Sequence, residues 1–315
     1  RPIALLVDAL RGLGAEIEYV GDEGYPPLRI KGNPIMKGGC VSLSGGVSSQ
    51  YISALLMIAP MMEEGLTLTL TGDVVSRPYI DMTIGLMRDF GAKVMWMDDN
   101  VVRVEPRVYC KRDFFVESDW SACSYWYEMV ALGDGDVLLP GLFKDSFQGD
   151  SRVAELFSML GVATEYVEGE GMGACVHIYR TGDVCGRLDL DLVEQPDLAQ
   201  TLVVCCCMMG VPFRFTGLQS LKIKETDRIN ALRTEMRKLG YVVGEENDSV
   251  LYWNGERCEA DTEPVIDTYD DHRMAMAFAP CALKLGEIRI NDPHVVSKSY
   301  PGYWEDLRSV GFVCE

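Results

Sequence analysis

Lys222-Ile223-Lys224-Glu225-Thr226-Asp227-Arg228 places three cations and two carboxylates in seven residues. A helical pattern follows at once. Ile229, Leu232, Met236 and Leu239 fall on one stripe, and Gly240 stops the helix before Tyr241. The charges therefore sit where a loop turns into a helix, beside the positive end of the helix dipole. That place suits an anion with an acid next to it. An exposed first turn laced with ion pairs is the plain alternative.

The closing half of the stretch is a repeat. A helix ending in a hydrophobic residue, then Gly, then an apolar residue and a strand, recurs. The copies are Leu13-Gly14-Ala15, Phe90-Gly91-Ala92, Leu160-Gly161-Val162, Leu239-Gly240-Tyr241 and Val310-Gly311-Phe312. The glycines are 77, 70, 79 and 71 residues apart, too long for solenoid repeats and right for duplicated α/β units. Gly suits the left-handed residue that closes a helix. Within one unit the pattern predicts a helix over Val47–Met62, a strand over Leu66–Leu70 and a helix over Tyr79–Phe90. Strands over Lys93–Trp96 and Val101–Val104 complete it. The next unit predicts helices over Ala122–Leu132 and Ser151–Leu160, with strands over Asp136–Leu139, Thr164–Val167 and Ala174–Tyr179. The order is β-α-β-α-β-β, helices layered on sheets. The charged, Pro-containing segment Glu105–Phe115 marks a domain crossing near residue 116.

Composition narrows the function. The chain holds 29 Lys and Arg against 48 Asp and Glu, a net charge of −19, which disfavours nucleic acid and anionic membranes. Local clusters of cations gain meaning against that field. The 11 cysteines form no C-x-x-C, and Cys205-Cys206-Cys207 lie in an apolar run, so reduced thiols in a cytoplasmic protein are expected. His177, His272 and His294 are scattered, with no metal-binding spacing. No metal and no organic cofactor is expected. The apolar run Thr201–Phe213 is too short to span a bilayer. The chain opens Arg1-Pro2 without Met, so its natural start is expected to lie elsewhere.

Other charged or polar groups also open helices. Gly45-Gly46-Val47-Ser48-Ser49-Gln50 offers hydroxyls, an amide and free N–H groups to a phosphate, or simply a Ser cap. Asp197 follows Pro196 at the start of Leu198–Met209, and Asp270-Asp271-His272-Arg273 opens Met274–Leu285. Lys298 precedes Tyr300-Pro301. Gly169-Glu170-Gly171-Met172-Gly173-Ala174 matches a dinucleotide fingerprint in letters only. A strand, not a helix, follows it, so it reads as a hairpin turn.

Taken together these residues resemble the enolpyruvyl transferase family, and within it the 5-enolpyruvylshikimate-3-phosphate synthases. Lys224-Glu225-Thr226-Asp227-Arg228 and Asp271-His272-Arg273-Met274-Ala275-Met276 carry most of the resemblance. Ser48-Ser49-Gln50, Ser76-Arg77-Pro78-Tyr79-Ile80-Asp81 and Pro196-Asp197 follow in the family order. The resemblance implies two domains of β-α-β-α-β-β units with substrates in a cleft, truncated at the N-terminus. Residues 1–116 would be the later part of the shikimate 3-phosphate domain. Residues 117–315 would be most of the other, lacking a first strand. The family's N-terminal Lys-Ser-Arg loop and its Gly-containing phosphoenolpyruvate loop are not in this sequence, and Arg1 matches the arginine that closes the former.

The resemblance also implies the chemistry. Enolpyruvyl would pass from phosphoenolpyruvate to the 5-hydroxyl of shikimate 3-phosphate, releasing phosphate, in a monomer. Arg1, Gln50, Arg228, Arg273 and Lys298 would hold phosphoenolpyruvate, arginines giving bidentate contacts. Ser48, Ser49, Gln50, Ser76, Tyr79, Asp197, Ser220 and Lys224 would hold shikimate 3-phosphate. Asp197 would take the hydroxyl proton, and Glu225 would serve the methylene and methyl proton steps. Ser220 and Gly46 depart from the family's usual Asn and Ser. Two alternatives remain: the sister transferase acting on UDP-N-acetylglucosamine, and a non-catalytic anion-binding protein that keeps the fold.

Overall fold

The computed structural model describes residues 2–32, 35–46, 48–169 and 173–315. The chain divides into two compact units, Arg1–Phe115 and Val116–Glu315.

The first unit begins with α1 (Ala4–Gly12) and an antiparallel pair, β1 (Glu16–Tyr19) and β2 (Leu28–Lys31). A full repeat follows: β3 (Gly39–Ser44), α2 (Ser49–Ile58), β4 (Leu66–Thr71), α3 (Arg77–Asp89), β5 (Val94–Asp98) and β6 (Val101–Val104). The sheet order is β3-β4-β6-β5, with β3 and β4 parallel and the other pairs antiparallel. β4 shows why a strand forms here. Leu66, Leu68 and Leu70 are fully buried while Thr67 and Thr69 are only partly covered, a period of two that buries one face. Ile52, Leu55 and Leu56 of α2 and Ile80, Ile84 and Met87 of α3 complete that core.

The second unit holds α4 (Trp120–Leu132), β7 (Asp136–Pro140), α5 (Val153–Ser158), β8 (Leu160–Gly169) and β9 (Gly173–Val184). Then comes a second full repeat: β10 (Leu188–Asp191), α6 (Ala199–Met209), β11 (Phe213–Thr216), α7 (Arg228–Lys238), β12 (Gly244–Glu246) and β13 (Val250–Trp253). Its sheet order, β10-β11-β13-β12, reproduces that of β3 to β6 strand for strand. A last parallel pair, β14 (Val265–Ile266) and β15 (Arg289–Ile290), flanks α8 (His272–Phe278) and α9 (Ala282–Leu285), and α10 (Tyr303–Ser309) follows. α4 is buried all round except at Ala122, and α6 nearly so. Both are apolar on every face, which a helix tolerates only inside a core.

The five repeat glycines, Gly14, Gly91, Gly161, Gly240 and Gly311, all take positive φ, from 79° to 102°. Four follow a helix directly. Gly161 lies inside β8, where the register against β9 shifts between Leu160 and Val162.

Three predicted helices are shorter than their apolar patterns. α2 ends at Ile58 and continues as a 3-10 turn, Ala59–Met61. α8 ends at Phe278 before the 3-10 turn Ala279–Cys281. Pro60 and Pro280 explain both breaks, since proline has no N–H for the helical bond and crowds the preceding turn. The helix expected over Ser151–Leu160 begins as a 3-10 turn and yields to β8. β8 and β9 are antiparallel neighbours, so no dinucleotide fingerprint lies between them. The turn residues 170–172 themselves, like Val47 within the predicted Val47–Met62 helix, lie outside the described residues.

Candidate active site

The described candidates all lie in connections that run from a strand to the next helix. In the second unit those connections bring six of them together. Pro196-Asp197-Leu198 form a 3-10 turn after β10. Lys224 and Glu225 lie in the β11–α7 connection, and Arg228 is the first residue of α7, capped by the Asp227 carboxylate accepting from Asn230 N at 3.1 Å. Arg273 stands near the start of α8, whose cap is Asp271, and Lys298 ends the turn Pro293–Lys298 after β15. Close contact between neighbouring connections is built in. Gly217, at the end of β11 with φ +77°, lies where a Cβ would come within 2.3 Å of Asp191 Oδ1. No larger residue fits there without moving the loop that carries Asp197.

Arg228 is the centre of the cluster. Its side chain is 2% exposed. It donates from Nε to Asp271 Oδ2 at 2.6 Å and from Nη2 to Asp271 Oδ1 at 3.2 Å. Nη1 donates to Asp197 Oδ1 at 2.9 Å, and Nη2 to Glu225 Oε2 at 2.8 Å. Three carboxylates thus converge on one guanidinium, whose fixed fork can serve several acceptors. Arg273 Nη2 donates to Asp197 Oδ2 at 3.1 Å, and Lys224 Nζ lies 3.4 Å from Asp197 Oδ1. Lys298 Nζ donates to Glu225 Oε1. The cations expected to hold phosphoenolpyruvate are therefore engaged by the very carboxylates expected to move protons.

The electrostatics follow from this packing. Burial alone would raise the Asp197 carboxyl, but Arg273, Lys224 and Arg228 outweigh it and hold the group well below the usual carboxylate range. It is firmly ionised. Burial, helped by Arg273, pushes the His272 imidazole down to about 4 against the opposing Asp271, so it stays neutral at pH 7. Burial pushes the Tyr125 hydroxyl up to about 12, Arg273 opposing.

The first unit gathers the neutral candidates. Ser48 caps α2, its hydroxyl accepting from Gln50 N at 3.3 Å. Ser49 and Gln50 form the first turn, with Gln50 exposed. Ser76 precedes α3 in a left-handed conformation, φ 54°, and accepts through its carbonyl from Tyr79 N at 3.1 Å. The two connections touch: Val75 N donates to Gly45 O at 3.1 Å, and Ser53 and Thr83 join α2 to α3 at 2.8 Å. Ser220, in the second unit, keeps its hydroxyl buried without a hydrogen-bond partner among the described residues. Arg1 lies outside the described residues.

Sequence reasoning gave Asp271 no role, yet it makes the bidentate contact that fixes Arg228. Its position beside Arg273 in a quoted motif was the available signal. Tyr269 and Asp270 hold positive φ, 54° and 56°, just before it. That kinked turn is anchored to α7, where Glu235 accepts from Tyr269 Oη at 2.7 Å and from Asp267 N at 3.0 Å. Nothing in the local pattern announced it.

Comparison with known proteins agrees with this geometry. Residues 1–307 match the family model of EPSP synthase (3-phosphoshikimate 1-carboxyvinyltransferase). The chain is 59% identical over 313 residues to the 3-phosphoshikimate 1-carboxyvinyltransferase of Bacteroides fragilis, covering 99% of this chain and 75% of that protein. It is 37% identical to the Vibrio atlanticus protein of that name, covering 98% of this chain and 70% of the relative. Among solved structures, an EPSP synthase from Acinetobacter baumannii matches the whole chain and 72% of its own, with TM-score 0.76 and 21% identity. The enolpyruvyl transferase NikO from Streptomyces tendae matches 99% of the chain and 71% of its own, with TM-score 0.73 and 15% identity, a likeness of fold. The chain therefore belongs to the EPSP synthase family, the transferases that move the enolpyruvyl group of phosphoenolpyruvate to the 5-hydroxyl of shikimate 3-phosphate in the route to aromatic amino acids.

Proposed function

We propose that the charged cluster of the second unit is the phosphoenolpyruvate and proton-transfer site, and that the helix-opening hydroxyls of the first unit hold shikimate 3-phosphate. One observation carries this reading: Arg228, Arg273, Lys224 and Lys298 converge on Asp197 and Glu225. Phosphoenolpyruvate is a small, dense anion, and convergent guanidinium and ammonium groups are what it requires. The acceptor's phosphate falls to Ser48, Ser49, Ser76 and Lys224, with Tyr79, Asp197 and Ser220 against the rest of the molecule. Gln50 reaches both ligands, and Arg1 adds a further cation.

The proton work divides between two carboxylates. Asp197 is ionised, so it is in the correct state to accept the proton of the 5-hydroxyl. Its basicity rises only when the arriving anions draw Arg273 and Lys224 away. Glu225 delivers a proton to the methylene carbon, giving a tetrahedral intermediate. The same residue removes a methyl proton as phosphate leaves. The fold is consistent with a protein that works in the cytoplasm as a monomer, and no helix among the described residues is long and apolar enough to cross a membrane.

The test is phosphate release from phosphoenolpyruvate and shikimate 3-phosphate. Glu225→Gln and Asp197→Asn are each expected to lower kcat by about 10²–10⁴-fold. Unchanged turnover in either variant removes that residue from the proton path. Preference for UDP-N-acetylglucosamine as acceptor overturns the assignment of the hydroxyl cradle.

A further inference from the structure

The cluster around Arg228 is nearly neutral by itself. Its cations are Lys224, Arg228, Arg273 and Lys298, and its anions are Asp197, Glu225 and Asp271. His272 is the remaining titratable neighbour and is neutral. With one net positive charge, the cluster meets a ligand carrying roughly two to three negative charges at neutral pH. The excess negative charge would rest among side chains that are mostly buried, where like charges are costly.

Exposure shows which contact yields. Asp271 is 0% exposed, Arg228 2%, Arg273 13%, Glu225 15%, Asp197 21% and Lys224 23%. Lys298 is 53% exposed, on a flexible stem at the end of a single turn. Its ammonium is the group free to swing, and its only carboxylate contact among the described residues is Glu225 Oε1.

We propose that Lys298 works as a proton-coupled latch: it neutralises Glu225 in the free protein, transfers to the incoming phosphoenolpyruvate, and leaves Glu225 to take up one proton from solvent. The proposal rests on the site reading above and deepens it. Proton uptake answers a difficulty in that reading, because a carboxylate between Lys298 and Arg228 is held ionised and has no proton to give. After the latch moves, Glu225 Oε1 faces the ligand anion without a counter-cation, and the protonated form is favoured. Asp197 does not compete for that proton, since Arg228, Arg273 and Lys224 all hold it and two of the three are nearly buried. The ligand thus loads the general acid as it binds.

The experiment is calorimetric titration of phosphoenolpyruvate into the chain saturated with shikimate 3-phosphate. It is run near pH 8 in two buffers of unlike ionisation enthalpy, because free carboxylates are ionised there. The expected result is uptake of about one proton per ligand, with affinity weakening by up to about tenfold per pH unit. Glu225→Gln should abolish the uptake while binding phosphoenolpyruvate at least as tightly, and His272→Gln should leave the uptake unchanged. Lys298→Met, with the latch removed, should bind more weakly and take up less than the wild type. Binding without proton uptake overturns the latch alone. Uptake that survives Glu225→Gln assigns the proton to another group, including the ligand, and also overturns it. Absence of phosphoenolpyruvate binding overturns the site reading beneath it.

Discussion

The two complete repeats share one strand order and one connection pattern but opposite chemistry. In β3–β6 the two helix-opening connections present Ser48, Ser49, Gln50, Ser76 and Tyr79, all neutral. In β10–β13 the same two connections present Asp197, Lys224, Glu225 and Arg228, all charged. Parallel strands ending side by side put their following loops together, and the sheet topology does this identically in both units. The scaffold therefore decides where functional groups meet, and the loop residues alone decide what they do. Neutral donors at a helix start suit a bound phosphate that needs holding. Ionised groups in contact suit a site where charge and protons must move. The difference also shows in burial. The hydroxyl cradle is half open, whereas Arg228 and Asp271 are sealed inside.

The largest test of that contrast is Arg228→Met. It leaves Asp197, Glu225 and Asp271 without their shared cation, and breaking a buried pair from one side costs about 3–5 kcal/mol. Loss of turnover together with a marked fall in the midpoint of chemical denaturation is expected. A variant as stable as the wild type would show that the cluster is loosely hydrated.

A smaller effect of opposite sign is expected at Glu128 on α4. Its carboxyl is 0% exposed with neither oxygen hydrogen-bonded, and burial raises it well above the usual carboxylate range. The folded state thus binds a proton that the unfolded chain releases above about pH 4.3, so Glu128's contribution to stability falls as pH rises from there. Glu128→Met should stabilise the protein by about 1–3 kcal/mol at neutral pH. Its advantage over the wild type should widen with pH in denaturation curves from pH 5 upward. Equal stability at every pH would mean that Glu128 is hydrated and ionised. Arg228 and Glu128 are both buried polar side chains, and only the paired one earns its place by contacts.

Much of this was legible in the sequence, for local reasons. The repeat could be read because Gly14, Gly91, Gly161, Gly240 and Gly311 report a backbone requirement that no other residue meets comfortably. The stripe Ile229, Leu232, Met236 and Leu239 is buried as its spacing predicts. The broken helices at Pro60 and Pro280 were visible too, but the apolar run across each proline outweighed it. What could not be read was tertiary. Nothing near Asp197 says that Arg228, 31 residues on, will donate to it. The positions of the charged residues were legible, but their mutual neutralisation was not, because pairing depends on which loops the sheet brings together.

The most direct test of the division between the two repeats is a split of kinetic constants, kcat and KM for shikimate 3-phosphate measured in Ser48→Ala and Glu225→Gln side by side. Ser48→Ala also removes a helix cap, costing about 1 kcal/mol of stability, so both variants are assayed well below their unfolding temperature. The account predicts a raised KM with kcat within a few-fold for Ser48→Ala, and a collapsed kcat with little change in KM for Glu225→Gln. A collapse of kcat in the serine variant with KM unchanged, or a raised KM alone in the glutamate variant, would contradict it.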